Sequence, residues 1–183
     1  MRFQCDARYV LVVEKDAIFQ RLTEDRFFDM VPCVMVTGKG MPDVATRMFL
    51  RKLCDCFPWM TVLGLVDWNP SGVAILSVYK YGSHRMGLES PRYALPSLRW
   101  LGVRSPMLQH VDPAMFQPLT ARDRALSRTL RSRLAHEPSW VEEICSMDET
   151  GRKAEIEAAY NVHGFDGLAA ALTRSILRRE YIP

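Results

Sequence analysis

The chain has 183 residues, a net charge of +3, 48% hydrophobic and 25% charged residues. That length gives about one domain with a core that needs no disulfide or metal to hold it. The balance excludes a disordered chain, a collagen-like repeat and a disulfide scaffold. No apolar run approaches the roughly 20 residues of a membrane span.

Tyr9–Val13 (YVLVV) is a continuous apolar run of strand length. Lys15–Asp29 follows, with Ile18, Phe19 and Leu22 spaced for one helix face. Cys33–Thr37 (CVMVT) reads as a second buried strand. A Gly-rich turn, Gly38–Pro42, leads to Asp43, which suits a helix N-cap. Asp43–Phe57 reads as a helix with Val44, Met48, Leu50 and Leu53 inward, and Pro58 lies just beyond it. Thr61–Val66 is a third strand, Asp67–Gly72 (DWNPSG) a turn, and Val73–Tyr81 another helix.

Strands alternating with helices, each strand nearly all apolar, predict a parallel sheet covered on both faces, with right-handed crossovers. The fold class is therefore α/β, with a Rossmann-like central parallel sheet, helices on both faces and additional C-terminal helices. Ser90–Pro106 reads as loop around a short strand at Leu98–Val103. Leu119–Leu134 is a strongly basic helix. Thr150–Tyr160 and Phe165–Arg179 read as two more helices, broken near Gly164. No internal repeat or linker is evident, so residues 1–183 read as one unit: a core of about 8–110 and a helical part of about 111–183.

Charge is unevenly spread. Nine arginines stand against three acids between Arg85 and Arg133, whereas His136–Thr150 holds five acids and no Lys or Arg. Arg suits bidentate phosphate contacts. The same pattern also describes a solvated helix face. The five cysteines have no framework or zinc spacing, and Cys54 and Cys56 are separated by a single residue. They read as reduced thiols. His84, His110, His136 and His163 have no partner at motif spacing, and the four Trp read as core or partner-facing residues.

In open parallel sheets ligands gather beyond the C-terminal strand ends. Glu14 follows the first strand; Asp67, with Asn69 two residues on, follows the third. Two carboxylates and an amide oxygen suit a water-rich Mg2+. Each acid also suits capping of the next helix. In TGKGMPD (Thr37–Asp43), two glycines flank Lys39, whose charge suits phosphate; the spacing is not that of a Walker loop. Met41, between Gly40 and Pro42, is placed to wedge against bases or to pack on its own domain.

Three segments then act together: VVEKDAIFQRL (Val12–Leu22), VTGKGMPDVATRMFL (Val36–Leu50) and LVDWNPSGVAILSVYKYGS (Leu65–Ser83). They resemble the Toprim domain of the family of topoisomerase VI A-subunits and meiotic double-strand-break transesterases. LRWLGV (Leu98–Val103), PLTARDRALSRTL (Pro118–Leu130) and GRKAEIEAAY with the closing helix (Gly151–Arg179) continue the likeness in order.

The resemblance implies a Toprim fold, a DNA topoisomerase of the ATP-hydrolysing, type IIB-like class, and a nuclear role in meiotic recombination. In that family an N-terminal winged-helix domain supplies a tyrosine that forms a 5′-phosphotyrosyl link. Toprim acids hold the Mg2+ that stabilises the developing charge. A dimer joins each tyrosine to the metal site of the other copy.

Carried over, Glu14 is the first metal ligand, Asp67 the second, and Asn69 stands at the last position of the Asp-x-Asp motif. That neutral residue implies weaker metal binding. The winged-helix domain and its tyrosine are read as absent, so the chain by itself has no catalytic nucleophile and does not cut DNA. Lys39, Met41, Arg124, Arg128 and Arg131 are the candidate DNA contacts. The implied partners are double-stranded DNA, a second copy in the full-length protein (a homodimer), other meiotic break-forming proteins and a topoisomerase VI B-like subunit, with no membrane. The alternative is a non-catalytic module that clamps DNA and docks partners. A small nuclease or primase-like Toprim enzyme fits the TGKG and DWNPSG runs poorly.

Overall fold

The computed structural model describes residues 4–82, 91–163 and 167–183. His84 and the break read near Gly164 lie outside them. The elements run β1 (Tyr9–Val13), α1 (Asp16–Glu24), α2 (Phe27–Met30), β2 (Cys33–Thr37), α3 (Val44–Cys56), β3 (Thr61–Leu65), α4 (Pro70–Tyr81) and β4 (Arg99–Gly102). They continue with β5 (Gln117–Pro118), α5 (Ala121–Arg133), α6 (Pro138–Thr150), β6 (Arg152–Lys153), α7 (Ile156–His163) and α8 (Gly167–Leu177). A parallel four-stranded sheet of order β2-β1-β3-β4, flanked by helices, gives the α/β class expected of a Toprim fold. Among the described residues, no helix is long and apolar enough to cross a membrane.

Contacts group the chain into two compact units. The first comprises Met1–Gly64 and Ile75–Arg99, the second Leu65–Ala74 and Trp100–Pro183.

In the first unit, β1 and β2 run parallel in the register Tyr9 to Cys33 through Val13 to Thr37. The valines of β1 suit a pleated surface buried on both faces, and Val10–Val13 are all buried. β2 is an edge strand and is half-buried throughout. Its core centres on Leu11, Leu22, Phe27, Leu50, Leu63 and Leu76, each fully buried and each contributing about 1.5–3 kcal/mol.

Two expectations change in this unit. Lys15–Asp29 is two helices rather than one: Arg26 adopts φ 52, a left-handed conformation that ends the first run. The turn is braced by ion pairs Arg21–Asp25 at 3.0 Å and Arg26–Asp29 at 2.7 Å. On α3, Met48 is 46% exposed, while Arg47, Leu50 and Leu53 form the buried stripe. A three-residue step fits a helix face, so Arg47 takes the place that apolarity had given to Met48.

In the second unit, Trp100 and Trp140 meet edge to face, with centroids 5.5 Å apart. Trp100 pairs its main chain with Ile182, and the Trp140 indole donates to the Pro183 carbonyl. α5 packs on α6 and α7 on α8. The acidic stretch, read only as charge, is helix α6, with Trp140, Glu143, Ile144 and Met147 on its buried stripe.

The helix read across Thr150–Tyr160 starts later, at Ile156. Gly151, at φ 65, ends α6 in the left-handed conformation that glycine adopts without strain, and Arg152–Lys153 pairs antiparallel with Gln117–Pro118. α4 starts earlier than expected, at Pro70, because proline suits the first helical position and Asn69 caps it. Of the four Trp, Trp68, Trp100 and Trp140 are buried and Trp59 is exposed.

Candidate metal and DNA-contact site

In the first unit, Glu14 stands one residue beyond β1 and is half-buried. Its main-chain carbonyl accepts from the Gly40 amide at 2.9 Å and from the Thr37 hydroxyl at 3.5 Å. These bonds tie the TGKGMPD turn to the end of β1. Lys39 and Gly40 both have positive φ, 53 and 108. Glycine is at home there; the Lys39 amide compensates by donating to the Thr37 hydroxyl at 3.1 Å.

Gly38 permits a close approach, because a Cβ there would lie 2.8 Å from the Tyr79 hydroxyl. Asp43 caps α3 as expected, accepting from the Thr46 amide at 2.7 Å. Those Thr46 hydrogen bonds hold its carboxyl below the usual range. Burial, reinforced by Asp43, pushes the Tyr79 phenol far up, so Tyr79 stays neutral.

Both candidate contacts on this turn face solvent. Met41 is 57% exposed. The Lys39 ammonium is largely exposed and lies 3.4 Å from Asp16, an exposed pair of little energetic weight.

In the second unit, Asp67 is 6% exposed, and its Oδ1 accepts the Ile156 amide at 2.9 Å. It therefore caps α7, 89 residues away, rather than the helix that follows it. Asn69 does cap the next helix, its Oδ1 accepting from the Gly72 amide at 2.8 Å. Gly72 is required by contact: a Cβ there would lie 2.4 Å from the Asp67 carbonyl oxygen. Trp68 joins Ala154 through two main-chain bonds of 2.9 and 3.0 Å. Its indole donates to Glu143 at 2.9 Å.

Glu14 in the first unit, and Asp67 with Asn69 in the second, each offer oxygen, the donor a hard divalent cation takes. A carboxylate has about four lone-pair positions and an amide oxygen two, so the bonds from Ile156 and Gly72 each use one. Among the described residues, no group of three or more His, Cys, Asp or Glu could hold a metal ion. The set with Asn69 has only two carboxylates and falls outside that pattern.

α5 begins with a capping box, Thr120 with Asp123. Burial pushes the Asp123 carboxyl up, but the Lys153 ammonium at 2.8 Å and the Thr120 bonds outweigh it and hold the carboxyl low. Arg124, Arg128 and Arg131 are exposed along this helix. Arg131 pairs with Asp148 of α6 at 3.6 Å, and Asp148 also accepts from the Ser127 hydroxyl at 2.5 Å. One arginine of the three thus already has an acidic partner.

Sequence reasoning missed the buried Lys80 and Asp123 and, on buried helix stripes, two further charged groups, Arg47 and Glu143. Each of the latter two sits at helical spacing inside an otherwise apolar stripe, which was the available signal.

The family model for the Toprim domain of the topoisomerase 6 A-subunit and Spo11 matches residues 9–174. The chain is 49% identical over 180 residues to "Meiotic recombination protein SPO11-2" of Oryza sativa subsp. japonica, covering 98% of this chain and 46% of that protein. It is 39% identical over 183 residues to "Meiotic recombination protein SPO11" of Homo sapiens, covering 97% and 43%. It is 43% identical over 159 residues to the A-subunit of DNA topoisomerase 6 of Arabidopsis thaliana, covering 85% and 37%. The chain spans less than half the length of these relatives. The strand-helix order, the Gly-rich turn and the D-W-N turn all lie within the matched residues 9–174, and the chain belongs, through its Toprim domain, to the family of Spo11 and the topoisomerase 6 A-subunit.

Proposed function

We propose that this chain is the Mg2+-binding, DNA-contacting portion of a protein that makes DNA double-strand breaks by tyrosine transesterification to start meiotic recombination. The observation that carries the reading is family membership over residues 9–174, with acids and an amide at the strand ends. In this reading the attacking tyrosine is supplied from outside residues 1–183, and the isolated chain binds DNA without cutting it.

Glu14, Asp67 and Asn69 would hold Mg2+, which when bound supplies charge stabilisation at the scissile phosphate and leaving oxygen. Asn69 contributes no negative charge, which makes the metal loosely held. Lys39 and Arg128 attract the phosphate backbone. Arg124 and Arg131 extend the same helix face, and Met41 meets the bases. The whole protein works as a homodimer in the nucleus, with other break-forming partners and a topoisomerase VI B-like subunit.

The test incubates the purified chain with supercoiled DNA and Mg2+, following binding by anisotropy and cleavage on gels. Binding without covalent product is the expected result. A covalent protein–DNA product would overturn the placement of the nucleophile.

A second reading, a non-catalytic clamp and docking module, is favoured by the exposed arginines of α5. Under it, charge reversal at Arg124, Arg128 and Arg131 abolishes binding while removal of Mg2+ changes nothing.

A further inference from the structure

Glu143 is a buried carboxylate, 7% exposed, on a helix otherwise rich in exposed acids. A buried charge is costly unless donors surround it. Three do: the Trp68 indole N–H and the Ser105 amide, each 2.9 Å from Oε2, and the Ser105 hydroxyl, 3.0 Å from Oε1. Arg104, one residue before Ser105, is drawn to it as well; burial lowers that guanidinium, and Glu143 and Glu180 partly offset the effect.

The indole that Glu143 holds belongs to the residue between Asp67 and Asn69. Asp67, Trp68 and Asn69 form a tight turn in which the Asn69 amide donates to the Asp67 carbonyl at 3.0 Å, so anchoring the central residue fixes the set of both neighbours. Trp68 is 3% exposed, makes both main-chain bonds to Ala154, and meets Phe116 edge to face with centroids 6.4 Å apart. Its indole N–H is the polar end of that anchor, and Glu143 is the acceptor that satisfies it.

We propose that Glu143 is a positioning residue for the D-W-N turn: by fixing the Trp68 indole, it holds Asp67 and Asn69 in the orientation that binds the divalent cation. This rests on the metal reading given above. Groups behind metal ligands commonly act in this way, through orientation rather than contact. Glu143 acts by accepting hydrogen bonds, so an amide in its place preserves the function and a methyl group does not. A Gln oxygen still accepts from the indole and the Ser105 amide, and the Ser105 hydroxyl can turn to accept from the amide nitrogen.

The test uses the whole chain as wild type, Glu143→Ala, Glu143→Gln, Trp68→Phe and the double variant Trp68→Phe/Glu143→Ala. Mg2+ is titrated by calorimetry, the melting temperature is recorded, and exchange of the Trp68 indole proton is followed by NMR. Glu143→Ala is expected to weaken Mg2+ binding about tenfold and to speed indole exchange. Glu143→Gln is expected to match wild type in both. In the Trp68→Phe background, Glu143→Ala is expected to add little.

Equal weakening by Ala and Gln would show that the carboxylate acts through its charge and would overturn positioning. So would wild-type Mg2+ affinity in a folded Glu143→Ala chain. A folded wild-type chain that binds no Mg2+ would instead defeat the metal reading, and the positioning role with it.

Discussion

Two turns follow the strands that carry the residues of interest, and they are held in contrasting ways. The Thr37–Asp43 turn is held by its own residues and by one strand end: Lys39 bonds Thr37, Asp43 caps the helix it begins, and Thr37 and Gly40 bond the Glu14 carbonyl. Its Lys39 and Met41 side chains lie in solvent. The Asp67–Gly72 turn is buried at Asp67, Trp68, Pro70 and Gly72 and is gripped by bonds with residues 75 and 89 positions away. The first arrangement leaves side chains available to a large partner such as duplex DNA. The second fixes donors in place, as a small ion requires. Exposure and rigidity are thus divided between the two turns.

The glycines offer the largest way to break this contrast. Gly72→Ala drives a methyl group against main chain that cannot yield, and is expected to cost about 3 kcal/mol in urea unfolding. Gly40→Ala meets no atom within 4 Å and suffers only its positive φ, costing about 1 kcal/mol. Equal costs would mean that the second turn is no more tightly built than the first.

Asn69 gives the next largest effect. Asn69→Asp keeps the cap on α4, since Asp and Asn cap equally well, and adds the missing charge. Mg2+ binding is expected to tighten several-fold with no change in melting temperature. Asn69→Ala is expected to lose about 1 kcal/mol through the cap. Equal Mg2+ affinity in the Asn and Asp forms would remove the charge argument.

Asp123 tests the second unit at the margin of its site. Its folded carboxyl lies below the ordinary value of 3.8, so its stabilisation is present above that pH. It is lost as pH falls through the lower folded value. Lys153→Met is expected to cost about 1 kcal/mol at pH 7 and to flatten the loss of stability between roughly pH 5 and 2. Parallel pH curves for wild type and variant would place the stabilisation elsewhere.

The same contrast explains what could be read from the residues. β1, β2 and β3 were legible because their side chains are apolar on both faces, which a linear pattern displays. Asp43 was legible as a cap because its acceptor and donor are three residues apart. Asp67 was placed at the right strand end, but its bond to α7 joins segments whose pairing no local pattern encodes. α6 is masked in the sequence by its acids, which read as charge and hide the helical period of Trp140, Ile144 and Met147. Glu143 lies on that stripe, where helical spacing marks it as a buried acid.

The most direct test of the central claim is Mg2+ titration of the wild-type chain beside Glu14→Gln and Asp67→Asn. The Asn variant retains an oxygen for the Ile156 amide, so the fold should survive. The account predicts that wild type binds Mg2+ and that each variant, still folded by circular dichroism, loses most of that affinity. Folded variants that bind Mg2+ as tightly as wild type would contradict it.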